Sequence, residues 1–203
     1  MEEKFAKGIS VVFHPLIIPT YVYLLMLNQE SFYAYLLPAK AKWLIIGLVF
    51  ITTFLLPLLL NLLLLNRGII KSFMMETKEE RLFPLLITSI FFYLCAYFIH
   101  SFQLPNLFYL FSLGATLVAI FVLLINFWIK ISIHMAAIGG ALGTFLGLSY
   151  KWEVNFIMII LAIILLTGLV GFSRIKLSAH KQFEIYSGFL LGFGLMFGLY
   201  LAI

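Results

Sequence analysis

Apolar residues in this chain fall into long runs separated by short polar stretches. The runs cover residues 9–27, 43–65, 82–103, about 105–128, 135–149, 154–172 and 185–203. An α-helix needs roughly 20 apolar residues to cross the hydrocarbon of a bilayer. Most of the runs approach or exceed that length, so the pattern predicts an all-α, polytopic transmembrane helical bundle. Pro15 and Pro19 lie inside the first run, where they would kink it or make it re-enter. The count is therefore seven spans, or six plus a re-entrant first run. Residues 28–42 mix Glu30, Pro38, Lys40 and Lys42 with aromatics and read as an interfacial loop or a short amphipathic helix. The short Gln103–Asn106 turn predicts an antiparallel hairpin between the third and fourth runs. Pro84 stands just inside the third run, a favourable place near a helix start.

The fifth run differs from the rest. Gly139, Gly143 and Gly147 recur at a spacing of four, and the last run carries Gly188, Gly192, Gly194 and Gly198. Small residues at such spacing let helices approach closely in lipid. The fifth helix is therefore expected at the centre of the bundle, and the glycine faces would also permit a homodimer. No soluble domain, linker or low-complexity segment interrupts the pattern, so residues 1–203 read as a single integral membrane domain.

Composition agrees with this class. Of 203 residues, 64% are hydrophobic and 10% charged, against roughly 25% charged in a soluble domain. Mean hydropathy is +1.15. The net charge of +5 points to topology rather than to nucleic acid, because Lys and Arg orient membrane proteins. The first run, with His14 and two prolines and no small-residue cleavage site after it, does not read as a cleavable signal peptide. Cys95 has no second cysteine to pair with and is expected to face lipid or pack. All eight acids are Glu, which argues against a carboxylate-rich metal site; no metal or other cofactor is expected.

The polar residues gather in three clusters: Asn66 to Arg81, Lys130 to His134, and Ser173 to Glu184. Two runs separate each cluster from the next, so all three face the same side of the membrane. Charged residues that converge in this way are a functional hypothesis by default. The third cluster has suggestive spacing: Ser173-Arg174, five residues, His180, three residues, Glu184. On a helix, His180 and Glu184 share one face, and a carboxylate placed there holds an imidazole in one tautomer and orientation. With Arg174 as an oxyanion partner, this makes a phosphate site with a histidine nucleophile. The same residues also fit an ordinary basic inter-span loop with a surface histidine. His134 opens a small-residue helix, where an N-terminus attracts anions. His14 and His100 read as structural or interfacial, and Glu76, Glu79 and Glu80 as partners of neighbouring Lys and Arg.

In these clusters the chain resembles the type 2 phosphatidic acid phosphatase superfamily, which carries three motifs in this order. They are Lys, six residues, Arg-Pro; then Pro-Ser-Gly-His; then Ser-Arg, five residues, His, three residues, Asp. The third motif matches at Ser173, Arg174 and His180, with Glu184 in place of Asp. The second matches at Ser132 and His134, with Ile131 and Ile133 replacing Pro and Gly. The first is looser: two residues separate Arg81 from Pro84, and Met74 stands where the Lys belongs, leaving Lys78, Lys71 or Lys130 to substitute. The resemblance spans about residues 78–184, with site clusters at 78–84, 130–134 and 173–184. It implies a metal-independent hydrolase of a lipid or polyprenyl phosphate. His180 would be the nucleophile that becomes phosphohistidine, oriented by Glu184. His134 would protonate the leaving oxygen and later activate water. Arg174, Arg81 and Lys78, with Lys130, would hold the phosphoryl oxygens, and Ser132 would donate a hydrogen bond.

Two other readings use the same residues. One is a non-catalytic relative that binds or transports lipid phosphates. The other is a proton- or cation-coupled carrier with His134, His180 and Glu184 as a relay; the lack of acids in the middles of the spans argues against it. Ten of the 13 Lys and Arg fall on the side of the clusters: Lys4, Lys7, Arg67, Lys71, Lys78, Arg81, Lys130, Arg174, Lys176 and Lys181. Only Lys40, Lys42 and Lys151 fall on the other. Positive-inside counting then predicts a multi-pass cell-membrane protein with its site facing the cytoplasm.

Overall fold

The computed structural model describes residues 2–28, 37–72, 75 and 77–202. Among these residues the protein is all-helical. Helices α1 (Glu2–Val12) and α2 (Ile18–Asn28) are followed by α3 (Ala39–Asn66), α4 (Lys78–Ser101) and α5 (Asn106–Ile125). Then come α6 (Ile133–Trp152), α7 (Ile157–Lys176) and α8 (Gln182–Leu201). Helices α3 to α8 are each long and apolar enough to cross a membrane, the build of a multi-pass membrane protein.

The first apolar run is not one helix. The chain breaks at residues 13–17, around Pro15, where a missing N–H and a fixed φ prevent continuation. The two 11-residue pieces are each about 16 Å long at 1.5 Å per residue, too short to cross alone. Helix α1 lies along α7. Helix α2 buries Val22, Tyr23, Met26 and Leu27 inside the bundle. The Tyr23 hydroxyl donates to the Phe108 carbonyl at 2.8 Å and meets the Ser112 hydroxyl at 2.7 Å. Of the expected 28–42 segment, residues 29–36 lie outside the described residues, as does Glu76.

Helix α4 starts four residues earlier than the apolar run, at Lys78. The Thr77 side chain caps it by accepting from the Glu80 N–H at 3.3 Å. Glu79 and Glu80 sit in its first turn, where carboxylates meet the positive end of the helix dipole. The ion pairs within 4 Å of described glutamates are Glu3–Lys7, Glu2–Lys176 and Glu184–His180; Glu79 is held mainly by hydrogen bonds at the helix start, with a smaller contribution from the charge of Lys78. Pro84 lies inside α4, near its second turn. The α4–α5 turn bends at Gln103, whose φ is 52°, and the two helices pack as the expected hairpin. Cys95 is buried in α4.

Helix α6 is the most buried of the six long helices, and its most extensive partner is α8. The glycine rows explain the pairing. A Cβ on Gly188 would stand 2.5 Å from the Ser132 carbonyl oxygen, one on Gly143 would stand 2.6 Å from that of Phe193, and one on Gly192 would collide with that of Ala136. Backbone touches backbone here because no side chain intervenes. The rows are thus used within one chain, while Gly194 and Gly198 face open space.

Candidate active site

Three polar clusters, from different parts of the chain, meet at one end of the bundle. Arg81, in the first turn of α4, is buried with only 4% exposure. Its Nε donates to the Met75 carbonyl at 3.2 Å and its Nη1 to the Ile131 carbonyl at 3.2 Å. Its Nη2 lies 3.3 Å from Nε2 of His180. That single side chain joins the start of α4, the entry to α6 and the α7–α8 link.

His180 sits in that link, one residue before the N-cap of α8. Its Nδ1 is 2.8 Å from Oε2 of Glu184. The same carboxylate oxygen accepts the Lys181 backbone N–H at 3.2 Å, as a glutamate in the first turn of a helix does in a capping box. Glu184 is therefore fixed by the helix start before it orients the imidazole. A carboxylate only accepts and a guanidinium only donates. Between the two, neutral His180 carries its proton on Nδ1 and turns the Nε2 lone pair toward Arg81. Burial, reinforced by the charges of Arg81 and Arg174 and opposed by Glu184, pushes its pKa down to about 4. Near neutral pH the imidazole is uncharged.

Arg174, in the last turn of α7, is also buried. Its Nη1 donates to the Ser10 hydroxyl at 2.7 Å, and its buried Nε has no partner among the described residues. Ser10 also reaches His134, in the first turn of α6. His134 Nε2 lies 3.1 Å from the Ser10 carbonyl oxygen and 3.3 Å from its hydroxyl. With a proton on Nε2 it donates to the carbonyl; without one it accepts from the hydroxyl. Ser10 thus offers His134 Nε2 a partner whether or not that nitrogen carries a proton. Two further contacts hold α1 in place: Ser173 Oγ donates to the Ala6 carbonyl at 2.7 Å, and Lys176 pairs with Glu2 at 2.6 Å.

Arg81, Arg174, His134 and His180 line one cavity of about 140 Å³, together with His14, Asn61 and Thr88. Below these polar groups its wall is apolar. Along α4 the lining runs Arg81, Pro84, Leu85, Thr88, Phe92, the face of a helix at spacings of three and four, over about 16 Å of axis. The arrangement joins a cationic, histidine-bearing end to a hydrocarbon-like interior.

Three of the expected phosphate ligands do not line this cavity. The ammonium of Lys78 donates to the Trp128 carbonyl at 2.9 Å, just past the end of α5. Lys130 is half-buried outside the cavity wall. Ser132 is fully buried at the N-cap of α6. Its backbone N–H donates to the Glu184 carbonyl at 2.9 Å, while its hydroxyl lies outside the lining and has no partner among the described residues.

Conversely, two residues of the cluster come from the first apolar run. Ser10 bridges Arg174 and His134, and His14 packs edge-on against His134 with ring centroids 5.6 Å apart. The one sequence signal for them is a serine and a histidine four apart beside Pro15 in an otherwise apolar run. His100 lies at the opposite end of α4, 4.8 Å from the Tyr109 ring. No family model, curated protein or solved structure matches the chain.

Proposed function

We propose that this protein is a metal-independent phosphatase of membrane lipid phosphates, with His180 as nucleophile. The observation that carries the reading is the pair of contacts on His180, Glu184 at Nδ1 and Arg81 at Nε2. A neutral imidazole whose Nε2 lone pair accepts from a guanidinium has the form required of a nitrogen that attacks an anionic phosphoryl group, once the phosphoryl oxygens take over the guanidinium's N–H. Nε2 of His180 attacks phosphorus as the bond from phosphorus to the lipid oxygen breaks. His134 gives that oxygen a proton and the lipid alcohol leaves. His134 then takes a proton from water, whose oxygen attacks the phosphohistidine. The P–N bond breaks, inorganic phosphate departs and His180 recovers its lone pair. Arg81 and Arg174 offset the charge on the phosphoryl oxygens throughout. The apolar wall below the arginines suits a lipid or polyprenyl phosphate better than a soluble ester, and the excess of Lys and Arg at this end favours a site facing the cytoplasm.

Purified protein in detergent with EDTA is expected to release phosphate from one or more lipid phosphates. His180→Ala is expected to abolish that release, together with an acid-labile phosphoryl adduct on His180. A second reading, a non-catalytic lipid-phosphate binder or transporter, draws on the positions of Lys78, Lys130 and Ser132, which leave fewer phosphate ligands than the resemblance implies. Retained binding with no release from any lipid phosphate would select it.

A further inference from the structure

Among the described residues most intramembrane hydroxyls follow one habit; the buried Thr20 hydroxyl and the Asn61 carboxamide oxygen lack a partner, and of these two it is Asn61 that lines the cavity of the candidate site. Thr52, Thr53, Thr88, Ser89, Thr116, Thr144 and Thr167 each donate to a carbonyl one turn back in their own helix. Such bonds satisfy a hydroxyl's donor locally. Asn61 lies in the second half of α3, only 5% exposed, and its Oδ1 has no partner among the described residues. It also lines the cavity that holds Arg81, Arg174 and the histidines.

The path of α3 explains why it faces inward. Pro57 cannot donate to the Thr53 carbonyl, and the helix widens into a π turn over Ile51–Leu55. That turn resets the register of the second half of α3, where Pro57 and Asn61, four residues apart, are both buried. A π turn inside a helix frequently accompanies a functional site. A buried amide oxygen without a partner costs about as much as a lost hydrogen bond, and a hydrogen-bond donor on a ligand in this wall of Leu, Phe, Ala and Val would satisfy it.

We infer that Asn61 recognises a hydrogen-bond-donating hydroxyl on the lipid that carries the phosphate. The inference rests on the reading of this cavity as a lipid-phosphate site and narrows it. The carboxamide oxygen needs a donor. A polyprenyl phosphate has none along its chain, and a diacyl backbone has only ester acceptors. A monoacylglycerol phosphate with a free hydroxyl and a sphingoid-base phosphate both supply one. The phosphate then sits between Arg81 and Arg174, and the hydroxyl meets Asn61 deeper in the cavity.

The test compares monoacylglycerol phosphate and sphingoid-base phosphate with their deoxy analogues and with a polyprenyl phosphate, using the full chain in detergent. For either hydroxyl-bearing lipid, Asn61→Leu is expected to lower kcat/KM about tenfold, with the deoxy and polyprenyl substrates changed less than about twofold. Asn61→Gln is expected to restore part of the preference. Between the two sources, the lipid whose turnover falls more in Asn61→Leu identifies the backbone. Titrations of the same lipids into His180→Ala and His180→Ala/Asn61→Leu, read by thermal shift, test recognition without catalysis. A preserved hydroxyl preference in the single variant that vanishes in the double variant upholds the inference even if no lipid is hydrolysed. Equal effects on hydroxyl and deoxy lipids, or none, overturn it. If Asn61→Leu does not fold, Asn61→Ala takes its place in both assays.

Discussion

At the scale of single residues, the candidate site is a set of contacts whose donors and acceptors dictate protonation. His180 lies between a carboxylate and two guanidinium groups, and burial outweighs the carboxylate, so its pKa falls to about 4. The neutral form is therefore the native one above that value, and protonation removes the Nε2 lone pair. The acid limb of kcat/KM is expected near pH 4, once the substrate's own ionisation has been titrated separately. A limb near 6.5, the ordinary histidine value of about that size, would mean that His180 is not the group whose protonation stops the reaction. Ser10 is a positioning residue by the same logic, since it offers His134 both an acceptor and a donor while holding Arg174 Nη1. Ser10→Ala keeps the carbonyl but removes the hydroxyl, which favours the Nε2–H form of His134. The expected result is a fall in kcat of about tenfold, part of the general acid–base contribution, with little change in KM and recovery in Ser10→Thr. An unchanged kcat would leave Ser10 with a purely structural role.

At the scale of elements, the site depends on how closely α8 approaches α6. Gly188 packs on the Ser132 carbonyl, and the Ser132 N–H in turn bonds the Glu184 carbonyl. The seam therefore sets the distance between His134 and the His180–Glu184 pair. Gly188→Leu forces the helices apart and is expected to lower stability by about 1–3 kcal/mol, the usual cost of overpacking, and to remove phosphate release. Gly198→Leu, at a position where an added Cβ meets open space, is expected to leave both unchanged. Thermal melting and phosphate release on the two variants decide it, and equal behaviour would discredit the seam. This part of the fold was legible in the sequence, because small residues at a spacing of four have one strong physical use in lipid. The meeting of the three clusters was legible too, since an even number of spans returns the chain to the same side. Side-chain direction was not. Lys78 reads as a phosphate ligand by its position one turn before Arg81, yet the Trp128 carbonyl beyond the end of α5 takes its ammonium. Ser132 reads as a donor to phosphate, yet its backbone packs on Gly188 of α8 and its buried hydroxyl lies outside the cavity lining. Ser10 and His14 could not be placed from the sequence, because their position depends on how the chain folds back at Pro15 and packs on α7.

At the scale of the whole molecule, the same feature that builds the site also bears on its orientation. The end of the bundle that holds Arg81, Arg174 and His180 carries ten of the 13 Lys and Arg. Two of those, Arg81 and Arg174, line the cavity and serve the proposed chemistry, so they are weak witnesses to topology. Eight remain, among them the exposed Lys4 and Lys7 on α1 and Lys176 at the end of α7, against Lys40, Lys42 and Lys151 at the other end. Positive residues in short loops resist export, so a cytoplasmic site is expected. In a Cys95→Ala background, Lys151→Cys is expected to react with a membrane-impermeant maleimide in intact cells, and Lys176→Cys only after lysis. Reaction of Lys176→Cys in intact cells would put the cavity on the outer face. The site would then draw its lipid from the outer leaflet, and the remaining eight cations would need another purpose, such as attraction of an anionic headgroup to the mouth between Arg81 and Arg174. The two outcomes imply different substrate pools for the same chemistry, so the labelling result decides which leaflet the lipid panel should represent.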